Sequence, residues 1–81
     1  MGIKLWGYEK KKAGSTPMEL KEVTLIASPV QLRKIAKFLE AAAAGIEQRG
    51  PKWEHEHLGD TVPGFRTSPQ FIVFNSQLYK A

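Results

Sequence analysis

The stretch that decides the fold is residues 28–51, SPVQLRKIAKFLEAAAAGIEQRGP. Ser28 is a favourable N-cap, Pro29 suits the first helical position, and Gln31 stands where a capping-box partner is expected. The Gly-Pro pair at 50–51 supplies a stop signal. The stretch therefore predicts one long helix.

Apolar residues recur along this helix at a spacing that places them on one face, within about a third of its circumference. They are Leu32, Ile35, Ala36, Leu39, Ala42, Ala43 and Ile46. Phe38 lies off the edge of this stripe, which we expect to pack on a sheet. The alanines at 41–44 either favour helix formation and close approach to the sheet, or Ala41 and Ala44 form a face for a partner helix together with Val30.

Two strands are predicted before the helix. Residues 3–9 begin with alternating apolar and polar side chains, and residues 18–27 carry β-branched side chains at their centre. Residues 10–17 between them hold three lysines, a glycine and a proline, and we predict a flexible loop there. The two strands then form a hairpin with a long connection, unless they run parallel.

The chain after the helix changes pattern. Residues 53–58 alternate with a period of two, residues 61–69 have the composition of a loop, and residues 70–75 give the strongest strand signal. Four consecutive large apolar residues in that last strand indicate a central strand with both faces covered. The helix covers one face, so a loop or a second copy of the protein must cover the other.

Together these elements predict an α+β fold with a single domain over residues 1–81. One long helix packs on a mainly antiparallel three- to four-stranded sheet in the order β-β-α-β. The tail over residues 76–81 is left unassigned.

Composition excludes several classes of protein. The chain has 81 residues, a net charge of +4 and no cysteine, which excludes disulfide scaffolds and thiolate metal sites. It also lacks an apolar run long enough for a bilayer and the pattern of a signal peptide, so we expect a cytoplasmic protein with no membrane contact. The lysine run at 10–12 is either a solvated loop tip or a phosphate contact.

Catalysis is not expected, because the sequence has no phosphate-binding loop, no dinucleotide fingerprint and no glycine-framed nucleophile. We therefore predict neither catalytic residues nor a cofactor. His55 and His57 could supply half of a zinc shell, with Asp60 as the nearest third ligand, but no second cluster completes it. No metal site is predicted.

Trp53 and Phe65 allow two interpretations, because aromatic side chains fill the cores of small domains and are also enriched at protein interfaces. Core packing is the favoured interpretation, and partner binding is the alternative. A restricted Pro/Gly loop also costs less entropy to order on binding. The predicted partner-binding residues are Trp53, His55, Glu56, His57, Asp60, Phe65 and Arg66. A possible homodimer is a second expectation. A small nucleic-acid-binding or regulatory module, using residues 10–12 with Arg33, Lys34 and Lys37, is the alternative function, although nucleic acid is the less favoured partner.

Three segments, 20–39, 55–58 and 71–75, resemble a family of small bacterial immunity proteins encoded beside secreted polymorphic toxins. The His-Glu-His-Leu segment at 55–58 carries the distinctive part of the resemblance. It implies a cytoplasmic protein that binds and neutralises one cognate toxin without catalysis. Inhibitors of cationic nuclease toxins tend to be acidic, whereas this chain is basic, so the resemblance leaves the toxin's activity open.

Overall fold

A computed structural model describes residues 2–10, 14 and 16–79 of the protein. The helices and strands follow the order β1 (Trp6–Gly7), β2 (Met18–Glu19), α1 (Pro29–Arg49), β3 (His55–His57), α2 (Leu58–Thr61) and β4 (Ile72–Phe74). Short 3₁₀ turns occupy Gly50–Lys52 and Ser76–Leu78. The α+β class is confirmed. Within the described residues no helix is long and apolar enough to cross a membrane.

The predicted N-terminal hairpin forms, but it is much shorter than expected. β1 and β2 pair antiparallel over two residues each, and the Leu20 amide extends the pairing by donating to the Leu5 carbonyl at 2.7 Å. Residues 23–27, predicted as part of the second strand, have no regular secondary structure. High β-propensity does not produce a strand without a neighbouring strand to pair with. Lys11 and Lys12 of the predicted loop lie outside the described residues.

The predicted boundaries of α1 are confirmed. The Gln31 amide donates to Ser28 Oγ at 3.2 Å, and the Ser28 amide donates to Gln31 Oε1 at 2.8 Å, which completes a capping box. Gly50 follows the helix with a φ of 55°, a backbone region that favours glycine.

The face that α1 buries differs from the predicted stripe. Ile35, Phe38 and Ala42 are buried, whereas Leu32 and Leu39 are 45% and 43% exposed. The difference arises because the elements that follow α1 pack on the Phe38 side of the helix. Phe38 contributes to the core with Ile35, Leu58 and Phe65, and Val62 and Val73 pack against this cluster.

The strands form two separate antiparallel pairs, β1 with β2 and β3 with β4. The predicted single sheet of three to four strands is not confirmed, and neither is its β-β-α-β order. β4, expected at the centre of a sheet, pairs only with β3 among the described strands.

Asn75 fixes the end of β4 to the end of α1. Its side chain is fully buried, and its amide nitrogen donates to the Gly50 carbonyl at 3.0 Å and the Trp53 carbonyl at 2.8 Å. Its amide oxygen accepts from the Gln77 backbone at 2.9 Å. These bonds satisfy the buried amide, whose polar atoms would otherwise cost about 1–3 kcal/mol each.

Candidate functional site

The register of the β3–β4 hairpin determines which side chains share a face. His55 pairs with Phe74, Glu56 with Val73, and His57 with Ile72. Because side chains alternate along a strand, Glu56 and Val73 lie on the face toward the core. The opposite face, here called the outer face, consists of His55, His57, Ile72 and Phe74.

The outer face combines exposed apolar and polar side chains. Ile72 and Phe74 are each 48% exposed, His55 is exposed and His57 is half-buried. Interfaces that form and separate are about as apolar as the rest of a protein surface, so a mixture of apolar and polar side chains is compatible with one. The hairpin therefore presents a small amphipathic surface.

The two imidazoles stand edge to face with their ring centroids 5.2 Å apart. His55 Nδ1 lies 2.8 Å from Glu54 Oε1, which orients the His55 ring. His57 Nδ1 is buried and has no hydrogen-bond partner among the described residues.

The histidines do not assemble a metal site with their neighbours. In the described part of the chain, no group of three or more His, Cys, Asp or Glu side chains converges closely enough to hold a metal ion. Glu56 instead accepts a hydrogen bond from the His57 backbone amide at 3.2 Å. Asp60, the nearest third ligand expected from the sequence, is exposed on α2.

Trp53 and Phe65 pack within the described chain, in agreement with the core interpretation of these aromatic side chains. Trp53 is half-buried, and its indole packs so closely against Gly45 that a Cβ there would lie 2.6 Å from Trp53 Cδ1. Phe65 is buried in the core beside Leu58, so it is not available for direct contact with a partner. Arg66, the next residue, is exposed.

Sequence reasoning missed Ile72 and Phe74 as site residues. The sequence did indicate a second apolar face on this strand, because four consecutive large apolar residues at 71–74 require cover on both faces. In the described chain only the Val73 face packs on the core.

The basic residues of the alternative function lie elsewhere. Arg33, Lys34 and Lys37 are exposed on α1, and Lys34 and Lys37 line a shallow, mostly apolar cleft between this helix and residues 61–63. Only Lys10 of the loop run is described, and it is exposed.

Comparison with protein-family models, curated proteins and solved structures finds no match to this chain. The outer face is therefore interpreted from its own geometry.

Proposed function

We propose that this protein is a non-catalytic, cytoplasmic protein-binding module that neutralises a bacterial toxin in the manner of an immunity protein. The observation that carries the proposal is the outer face, where two half-exposed apolar side chains adjoin two histidines. Apolar side chains that enter a partner's pocket supply most of the binding energy of such interfaces. The resemblance of residues 55–58 to the immunity family supplies the kind of partner.

Neutralisation would operate by steric occlusion. Ile72 and Phe74 insert into the toxin near its active site, while the exposed His55 makes polar contacts at the margin. Asp60 and Arg66, both exposed, extend the contact beyond β3. The net charge of +4 favours a toxin with an acidic surface around its active site, because complementary charge accelerates association.

The test begins with capture of the toxin by the tagged protein from nuclease-treated host lysate, washed at about 0.5 M salt to screen surface charges. The recovered toxin is then titrated with the wild type and with His55→Ala, Ile72→Ser and Phe74→Ser variants. All three replace side chains outside the core, so the fold should survive. We expect each apolar variant to weaken binding at least tenfold, or about 1.4 kcal/mol.

Leu39→Ser serves as the matched control, because Leu39 is a comparably exposed apolar residue on α1 rather than on the hairpin. It should bind the toxin as the wild type does and protect cells that express the toxin. Unchanged protection by the Ile72→Ser/Phe74→Ser double variant would contradict the site. Recovery of nucleic acid alone, from an untreated low-salt sample, would support the alternative function instead.

A further inference from the structure

The described residues of the N-terminal third contribute no buried side chain. Among the described residues before Ile35, every side chain is exposed or half-buried. Large apolar groups are nevertheless concentrated there, and Ile26 and Ile3 are 92% and 86% exposed. The set, here called the N-terminal apolar surface, comprises Ile3, Trp6, Tyr8, Met18, Val23, Leu25 and Ile26.

The exposed surface is larger than the average for a folded chain of this mass. The chain exposes 7212 Å², whereas a folded monomer of 9.1 kDa exposes about 4,900 Å². The excess of about 2,300 Å² falls within the roughly 1,000–2,500 Å² that each subunit of an obligate dimer buries. The surplus is therefore of the size that one permanent partner would cover.

Residues 23–27 also have the features of a strand that lacks its partner. The sequence Val-Thr-Leu-Ile-Ala contains no charge, glycine or proline, the devices that keep an exposed edge from pairing. It follows β2, whose only described partner is the two-residue strand β1. Another strand could therefore pair with this segment and bury its apolar side chains at the same time.

We propose that a second copy of this chain covers the N-terminal apolar surface and forms a two-fold symmetric homodimer. Permanent interfaces between identical subunits are the more apolar class, and seven large apolar side chains supply that character here. Two charged residues of the same segment, Lys4 and Glu19, pair with each other at 3.3 Å. The outer face, with its histidines, has the mixed composition of a separable interface. A core of five buried apolar residues within the described chain is also small, and self-association is how small domains compensate.

Sedimentation equilibrium of the full chain at about 1–200 µM tests the proposal. The wild type should sediment as a dimer of about 18 kDa, twice the 9.1 kDa chain. Val23→Lys and Ile26→Lys place charges in the interface and should reduce the mass to that of one chain. Ile72→Lys, which changes the outer face, is the matched control and should leave the dimer intact.

A monomeric wild type across the whole range would overturn the proposal. A dimer that resists both lysine variants, or that only Ile72→Lys dissociates, would overturn the assignment of the surface. Far-UV circular dichroism shows whether each variant keeps α1. If a lysine variant unfolds, the milder Ile26→Thr replaces it and should weaken the dimer at least tenfold, while equal dimer affinity would count against the surface.

Discussion

At the contact between Gly45 and Trp53, the helix propensity of residue 45 and its steric fit against the indole have opposite effects on stability. Alanine has a helix propensity better than that of glycine by about 1 kcal/mol, so Gly45→Ala would stabilise an isolated helix. In the folded protein the new Cβ would lie 2.6 Å from Trp53 Cδ1, and a rigid indole cannot move aside locally. We expect a net loss of about 1–3 kcal/mol in the free energy of unfolding, measured by urea denaturation.

A double-mutant cycle separates the two effects. In a Trp53→Ala background the steric conflict is absent, so Gly45→Ala should become neutral or stabilising. Equal effects of Gly45→Ala in both backgrounds would show that the contact with Trp53 does not determine the cost. Because the Trp53 indole packs on α1, Trp53 variants change the packing of the fold. They are therefore unsuitable tests of partner binding.

At the scale of the element, the capping box determines where α1 begins. Ser28→Ala removes the acceptor for the Gln31 amide, and we expect it to cost about 1 kcal/mol in unfolding free energy. Ser28→Asp keeps an acceptor and favours the positive end of the helix dipole, so it should retain wild-type stability. Urea denaturation followed at 222 nm measures both variants. A Ser28→Asp variant as unstable as Ser28→Ala would contradict the role of the cap.

The same helix shows why its boundaries could be predicted from sequence and its buried face could not. Ser28, Gln31 and Gly50 act on backbone groups within one turn, so their effect is local. The buried face depends instead on where the chain after α1 returns, and this selects Phe38 over Leu39. Residues 23–27 illustrate the same limit, because their β-propensity has no partner strand within the described chain.

The candidate site was predictable to the extent that it depends on strand periodicity. Alternation placed His55 and His57 on one face, and the register of the hairpin agrees. The sequence could not reveal that Ile72 and Phe74 stand opposite them, because register is a long-range property. Nor could it separate Phe65, which fills the core, from Arg66, which is exposed.

At the scale of the whole molecule, each of the two apolar surfaces has its own proposed partner. The outer face would bind a toxin, and the N-terminal apolar surface would bind a second copy of the chain. The outer face includes two histidines and belongs to the hairpin that packs against α1 and Leu58. The N-terminal apolar surface precedes α1, and each of its large side chains is at least 48% exposed within one chain. A toxin can therefore bind the C-terminal hairpin of each subunit while the N-terminal segments hold the dimer together.

A dimer of this kind makes thermal stability depend on protein concentration. Binding to a second copy stabilises only the folded state, so mass action raises Tm as the chain becomes more concentrated. For a dimer of two 81-residue chains we expect Tm to rise by about 4 °C for each tenfold increase in concentration, given about 0.7 kcal/mol of unfolding enthalpy per residue. Differential scanning calorimetry at three concentrations measures this slope.

Ile26→Lys should melt at a lower temperature that no longer changes with concentration, whereas Ile72→Lys should keep the wild-type slope. A wild-type Tm independent of concentration would show that the N-terminal apolar surface does not associate with a second copy of the chain.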